Sequence, residues 1–112
     1  MEGKLIVGAV EKVVISSSKG SKLVEARIDT GAKLCSIDTG LVAELGLGPV
    51  VKAKNVRSAS GKSLRPVINV KIELKGRWFE EDFTVTDRSH MSYPVLIGRN
   101  VLRKGFLVDP AK

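Results

Sequence analysis

Runs in which apolar and polar residues alternate are the feature of this sequence that most restricts its possible folds. Val24, Ala26 and Ile28 lie on one side of an extended segment, and Glu25 and Arg27 lie on the other. The same alternation returns twice later in the chain, and turns rich in glycine and serine separate the runs. Because successive side chains of a strand point to opposite faces, this period of two predicts strands with one buried face.

About seven strands and one or two short helices follow from this pattern. The predicted strands cover residues 5–15, 22–29, 50–58, 63–74, 78–87, 93–98 and 106–110. A helix is predicted within residues 39–48, with Asp38 or Thr39 as its N-cap and Gly46 or Gly48 at its end. A second short helix is predicted over residues 99–105. Residues 1–112 therefore form one mostly-β domain, a small barrel or a sandwich.

Composition limits the surroundings and the partners of the chain. No apolar run approaches the roughly 20 residues that span a bilayer, so we expect no membrane segment. The N-terminus lacks the pattern of a secretory leader, and the single cysteine, Cys35, agrees with a reducing compartment. We therefore expect a cytoplasmic protein. The net charge of +7 favours an acidic partner. The basic residues are scattered and aromatics are few, so nucleic acid is the less favoured partner.

The tetrapeptide Ile-Asp-Thr-Gly occurs twice, at residues 28–31 and 37–40. An Asp-Thr-Gly triplet is the means by which an aspartic protease presents its catalytic carboxylate, and that chemistry needs two carboxylates. The first copy follows an alternating strand, whereas the second precedes a predicted helix. The copies are therefore not equivalent, and Asp38 is interpreted as a structural cap.

Several blocks of sequence carry a family resemblance. A strand ending in "IDTGA", a hairpin containing glycine in mid-chain and "VLIGRNVL" together resemble the retropepsin-like aspartic proteases. Four blocks are similar to the family known as ATP-dependent zinc proteases: "RIDTGAKLCSID", "RPVINVKIELKGR", "TVTDRSHMSYPVLIGRNVL" and "FLVDPAK". Members of that family share the retropepsin-like fold and often accompany ATP-grasp glutamate ligases. The resemblance implies a small closed β-barrel of the retropepsin type with one or two short helices.

The resemblance also implies roles for the residues of the first motif. Asp29 would be the catalytic carboxylate, Thr30 would lock two loops together, and Gly31 with Ala32 would form the floor of the site. Only eight residues separate Asp29 from Asp38, too few to rebuild the strand that presents the first carboxylate. The second carboxylate would then come from Asp29 of another subunit, which implies a twofold homodimer.

A hairpin and a late turn complete the implied site. The segment "SASGKS" is the candidate for a flap that closes over substrate, with Ser60, Gly61 and Lys62 contacting the peptide; an ordinary hairpin turn is the alternative. Arg99 is interpreted as a structural anchor. Retroviral enzymes pair this arginine with an acid two residues after the motif glycine, where this chain has Lys33. Arg99 would then pair with Asp38, Asp87 or a substrate carboxylate.

The residues give no support to zinc or ATP dependence. The chain has no His-Glu-x-x-His motif, its only cysteine and histidine are Cys35 and His90, and no glycine-rich phosphate loop is present. We expect no metal site and no cofactor, with Cys35 buried and His90 an ordinary loop residue.

Three functional hypotheses remain at this level. The first is a homodimeric aspartic peptidase that hydrolyses peptide or protein substrates, including acidic or glutamate-modified ones. The second is a catalytically silent dimer of the same fold that acts as a binding or regulatory module. The third is a basic protein that associates with RNA or the ribosome.

Overall fold

The computed structural model describes residues 3–59 and 61–112, and most of these residues lie in strands. The strands are β1 (Leu5–Val7), β2 (Val10–Ser17), β3 (Gly20–Ile28), β4 (Cys35–Asp38), β5 (Val50–Ser58), β6 (Gly61–Leu74), β7 (Arg77–Thr86), β8 (Val95–Ile97) and β9 (Phe106–Val108). The helices are α1 (Thr39–Leu45) and α2 (Arg99–Leu102). The mostly-β prediction with two short helices is confirmed.

Six strands close into a barrel, in the order β2, β3, β8, β4, β7 and β6, and pairing of β2 with β6 completes the circle. The strands β3 and β8 run parallel, as do β4 and β7, and the other pairs in the barrel are antiparallel. The alternative of an open sandwich is therefore wrong. The remaining strand of this sheet, β5, pairs with β6. The two strands form the β5–β6 hairpin, which extends beyond the barrel wall.

The alternating residues fill the barrel as the period of two requires. Ala26 and Ile28 of β3, which the sequence places on one face, are both buried in the core. The core continues through β6 and β7, where the largest fully buried side chain is Phe83. Burying such side chains contributes about 1.5–3 kcal/mol each, which makes this core the main stabilising element of the domain.

Two segments differ from the sequence-based prediction. Residues 5–15 form two strands rather than one, because the chain bends at Gly8 and Ala9. An added Cβ on Gly8 would lie 2.5 Å from the carbonyl oxygen of Lys112, to which the backbone N–H of Ala9 donates. The short β1 pairs in parallel with β9 in a separate two-stranded sheet. The strand β4 was not predicted, because its four residues are too few to show a period and its second half reads as the start of a helix.

Asp38 is the N-cap of α1, as predicted. Its Oδ2 accepts a hydrogen bond from the backbone N–H of Gly40 at 3.0 Å, and Gly46 ends the helix in the left-handed region. Its Oδ1 accepts a second hydrogen bond, from the backbone N–H of Arg88 at 2.6 Å. One side chain therefore fixes both the start of the helix and the loop that follows β7.

Within the described residues, no helix has the length and apolar character needed to cross a membrane.

We expect Asp38→Ala to lower the free energy of unfolding by about 1–3 kcal/mol, since it removes a helix cap and leaves a half-buried N–H group without its acceptor. Urea denaturation measures this loss. Thr39→Ala, at the exposed next position, is the control and should change stability by less than about 0.5 kcal/mol. Equal stability of the two variants would contradict the double role of Asp38.

Candidate active site

The first Asp-Thr-Gly copy forms a tight loop at the end of β3. The backbone N–H of Asp29 donates to the carbonyl of Ile97 at 2.9 Å, which fastens the loop to β8. The Asp29 Oδ1 atom accepts a hydrogen bond from the N–H of Gly31 at 2.8 Å. The carboxylate is half-buried and lines a surface cleft, so it is held in place but open to a ligand.

The Gly98–Asn100 segment packs directly against this loop. The backbone N–H of Arg99 donates to the carbonyl of Ala32 at 2.8 Å, and that of Asn100 donates to the carbonyl of Lys33 at 3.2 Å. A Cβ on Gly98 would lie 2.6 Å from the Leu34 oxygen, so only glycine allows this close approach. The late "LIGRN" turn therefore supports the backbone that carries Asp29.

The side chain of Asn100 ties three parts of the barrel together. Its Oδ1 accepts a hydrogen bond from the N–H of Cys35 at 3.0 Å, and its Nδ2 donates to the carbonyl of Asp82 at 2.9 Å. Asn100 is almost fully buried. Its amide thus joins α2 to β4 and β7 through one buried and one partly buried hydrogen bond.

Arg99 contacts the motif loop through a backbone oxygen rather than through an acid. Its Nη1 donates to the carbonyl of Thr30 at 2.9 Å. Among the described residues no ion pair within 4.0 Å joins Arg99 to Asp38 or Asp87, whose carboxylates accept hydrogen bonds from other backbone groups. Lys33 is exposed beside the loop. The anchoring contact therefore needs no acid at position 33.

A cleft of about 600 Å³ lies above Asp29, between the barrel wall and the β5–β6 hairpin. Asp29, Gly31, Ala32 and Arg99 line it, whereas Thr30 lies in the same loop outside the lining. Six cationic side chains contribute to the lining: Lys33, Lys54, Arg57, Arg65, Arg88 and Arg99. Among the described residues that line the cleft, Asp29 is the only acid. The cleft is therefore strongly positive around a single carboxylate.

The β5–β6 hairpin contributes its arms, rather than its tip, to the cleft. Lys54 and Arg65 are register partners on adjacent strands and both line it. Gly61 and Lys62 lie at the tip, outside the described lining, and Ser60 lies outside the described residues. The assignment of Ser60, Gly61 and Lys62 to substrate binding stays a prediction.

Cys35 is buried beneath the site. Burial raises the pKa of its thiol to about 12, and Asn100 Oδ1 lies 3.2 Å from its sulfur. A thiol with this pKa stays protonated at neutral pH, which fits a structural role and not a nucleophilic one. Residues 3–59 and 61–112 contain no group of three or more potential ligands placed to hold a metal ion.

Residues that the sequence did not indicate also form the cleft. Ser36, Thr84 and Leu96 lie side by side on β4, β7 and β8, and Arg88 follows β7 in a loop. Each belongs to a different element, so no local motif joins them in the sequence. The sequence offered one signal for Thr84. The alternation within residues 78–87 places its side chain on the face opposite the buried Phe83.

Comparison with known proteins assigns the chain to a family. Residues 43–112 match the model of the RimB-like family, described as retropepsin-like aspartic endopeptidase RimB. The chain belongs to this family, and its fold is retropepsin-like. The matched region includes the hairpin and the Gly98–Asn100 turn but begins after Asp29.

Two curated relatives align with the chain, and two solved structures share its fold. The chain is 29% and 27% identical to proteins named "Probable alpha-L-glutamate ligase" from Shewanella pealeana and Shewanella halifaxensis, with 99% of the chain aligned. It spans only 30% of the length of each relative. Protein Lpg0085 from Legionella pneumophila is 24% identical with a TM-score of 0.70, covering 96% of this chain and 95% of that one. The EIAV protease complexed with the inhibitor HBY-793 is 21% identical with a TM-score of 0.68, covering 84% of each chain.

We expect Asn100→Ala to lower the free energy of unfolding by about 2–4 kcal/mol, because each backbone group left without a partner costs about 1–3 kcal/mol. Chemical denaturation checks this value. Arg103→Ala, in the exposed residue that follows α2, is the control and should stay within about 0.5 kcal/mol of the parent. A loss of less than 1 kcal/mol (about one ordinary hydrogen bond) would contradict the bridging role of Asn100.

Proposed function

We propose that the chain is one subunit of a homodimeric aspartic peptidase, with Asp29 as its catalytic carboxylate. The observation that carries this proposal is the position of Asp29 in the cleft, on a loop held by the Gly98–Asn100 turn. Membership in a family of retropepsin-like aspartic endopeptidases supports the same chemistry.

The need for a second carboxylate supports the dimer. Both oxygens of Asp38 accept hydrogen bonds from backbone groups, and Asp38 is not among the residues that line the cleft. The partner carboxylate would then be Asp29 of a second copy, placed by a twofold axis. Thr30 is exposed, and within the described residues its side chain has no hydrogen-bond partner, which suits a lock between the two loops.

The reaction follows from two carboxylates held close together. Because like charges at short distance cannot both ionise easily, the pair shares one proton. The charged Asp29 would take a proton from a bound water while the protonated one donates to the scissile carbonyl oxygen. The water attacks the carbonyl carbon. The tetrahedral species would then collapse as the carboxyl that took the water proton donates it to the leaving nitrogen, while the other carboxylate takes back a proton from a hydroxyl of that species, which releases the amine. Gly31 and Ala32 would leave space for the peptide beside the carboxylates.

The charge of the cleft points to acidic peptides as substrates. Six cations face one acid there, and a peptide with several carboxylates would be attracted to such a cleft and ordered in it. The name of the relatives, glutamate ligase, suggests glutamate-rich or glutamate-modified chains. The β5–β6 hairpin would cover the bound peptide, with Ser60, Gly61 and Lys62 at its tip. We also infer a cytoplasmic location and a single domain over residues 1–112.

The same cleft would serve a dimer that binds acidic peptides without cleaving them. A measurement of peptide hydrolysis distinguishes this binding module from a peptidase. Both would require Asp29 loops that meet at a twofold axis. RNA binding is the third possibility, and it would not depend on Asp29.

We expect Asp29→Asn to lower kcat for a glutamate-rich peptide by at least about 10³-fold, because the amide cannot take a proton from water. Mass spectrometry of the products measures the rate over a range of pH. Glu44→Gln, which alters an exposed ion pair with Lys22, is the control and should keep the parental rate. Unchanged hydrolysis by Asp29→Asn would refute the assignment.

The dimer has its own test. Analytical ultracentrifugation at the concentration of the assay should show a twofold assembly, and a chemical cross-link should join the two Asp29 loops. Hydrolysis by a monomer would contradict the proposed sharing of the site.

We expect kcat/KM for a glutamate-rich peptide to fall at least about fivefold between about 50 and 500 mM NaCl, since salt screens the attraction between exposed charges. A peptide of the same length with glutamine in place of glutamate should change less than about twofold. The same salt dependence for both peptides would rule out recognition of charge by the cleft.

A further inference from the structure

Arg88 differs from the other cations of the cleft because it is buried. Only 7% of its surface is exposed, although it lines the same cleft as Ser36 and Thr84. Its Nε donates to the carbonyl of Tyr93 at 3.0 Å, and its backbone N–H is held by Asp38. The guanidinium is thus fixed from one side, and its two terminal nitrogens have no protein acceptor among the described residues.

Burial of most of this side chain is electrostatically unfavourable for the cation, and its two terminal nitrogens, which face the cleft, are the part that keeps contact with solvent. An arginine does not lose its proton, so its charge must be stabilised where it lies. Among the described residues, no carboxylate oxygen lies within 4.0 Å of the guanidinium nitrogens of Arg88. Burial and the nearby charges of Arg65 and Arg27 lower the pKa of Arg88, while the charges of Asp38 and Asp29 raise it. An anion from outside the chain would offset the cost of this buried cation.

A second, independent observation concerns Ser36, which lines the same cleft as Arg88. Ser36 is paired in register with Thr84 on one side and with Leu96 on the other, so the three form a row across β7, β4 and β8. The Thr84 hydroxyl donates to the Cys35 carbonyl at 3.4 Å. The Ser36 hydroxyl is buried, lines the cleft and has no hydrogen-bond partner among the described residues. A buried hydroxyl without a partner costs about 1–3 kcal/mol, so a ligand that accepts its proton would gain from it.

We propose that Arg88 and Ser36 form a specificity subsite that binds the side-chain carboxylate of one glutamate of the peptide substrate. The subsite rests on the proposed peptidase function, because it lies in the same cleft as Asp29. It goes beyond that function by assigning one position of the peptide to two residues, instead of attributing recognition to the charge of the cleft as a whole.

The geometry of Arg88 fits a carboxylate. The Tyr93 carbonyl occupies the Nε edge of the guanidinium, which leaves the two Nη atoms as a fork for two parallel hydrogen bonds. Ser36 would donate a third hydrogen bond to the same carboxylate. Glutamine has the same size as glutamate but carries an amide NH₂, which would face the donors of Arg88. The subsite therefore distinguishes glutamate from glutamine, which the exposed cations Lys33 and Arg57 do only weakly.

Binding to an inactive enzyme tests the subsite separately from catalysis. The probe is a fluorescein-labelled decaglutamate peptide, with a set of ten variants in which one glutamate at a time is replaced by glutamine. Fluorescence anisotropy gives Kd for the full chain carrying Asp29→Asn, with and without Arg88→Met, which keeps the length of the side chain but removes its charge. Arg57→Gln, in an exposed cation of the same cleft, is the matched control, and thermal melting shows that each variant is folded.

We expect one glutamine replacement to weaken binding about tenfold in the Asp29→Asn protein, and the same replacement to change Kd less than twofold when Arg88→Met is added. With Arg57→Gln all peptides should bind more weakly, and the tenfold difference should persist. Ser36→Ala, which leaves the packing nearly unchanged, should reduce that difference to about threefold and serves as the test if Arg88→Met does not fold.

Three results would overturn the subsite: no position more sensitive than the others, an equal effect in the presence of Arg88→Met or Ser36→Ala, or no binding of decaglutamate. An error in the peptidase assignment would give a different experimental result from an error in the subsite. In that case the parent protein would bind decaglutamate with the same sensitive position but would not hydrolyse it.

Discussion

Hydrogen bonds between the Gly98–Asn100 turn and the loop after β3 are the contact on which the site depends. Two backbone N–H groups of this turn donate to the carbonyls of Ala32 and Lys33, and the Asn100 side chain reaches β4 and β7. The bond from Cys35 to Asn100 is buried, so losing it would leave a polar group without a partner. Together these hydrogen bonds keep the Asp29 backbone in one conformation while its carboxylate stays open to the cleft. The absence of side chain at Gly98 is what allows the two backbones to approach so closely.

The cleft combines this rigid floor with an excess of positive charge. One carboxylate among six cations is a poor arrangement for binding neutral or basic peptides, and a favourable one for acidic chains. The cations are not equivalent. Those at the surface attract any anion through water, whereas buried Arg88 acts at short range in a less polar environment. General attraction and recognition of a particular residue therefore rest on different side chains of one cleft.

The two copies of the Ile-Asp-Thr-Gly tetrapeptide have different structural settings in this chain. The copy at residues 28–31 follows a strand that ends at the cleft, and its carboxylate lines it. The copy at residues 37–40 overlaps a strand and a helix start, and backbone N–H groups occupy both oxygens of its carboxylate. Asp38 is not among the described residues that line the cleft, so it does not supply a second carboxylate there. The single-chain site is therefore half of what aspartic-protease chemistry requires.

Much of the fold and part of the site could be predicted from the sequence, because the signals are local. Alternation of apolar and polar residues identified β3, β6 and β7, and the two motif segments indicated the loop of Asp29 and the turn of Arg99. The strand β4 was missed because four residues do not define a period. The bend at Gly8 was missed because it depends on contact with Lys112, at the far end of the chain.

The sequence by itself determined which faces of the strands are buried, since that follows from the order of apolar and polar residues. Only the tertiary structure decided that the sheet closes through β2 and β6, and that the buried residues Arg88 and Ser36 line one cleft. The physical reason is the range of the interactions. Strand formation depends on neighbours along the chain, whereas the burial of Arg88 depends on strands distant in sequence and on Asp38, 50 residues away.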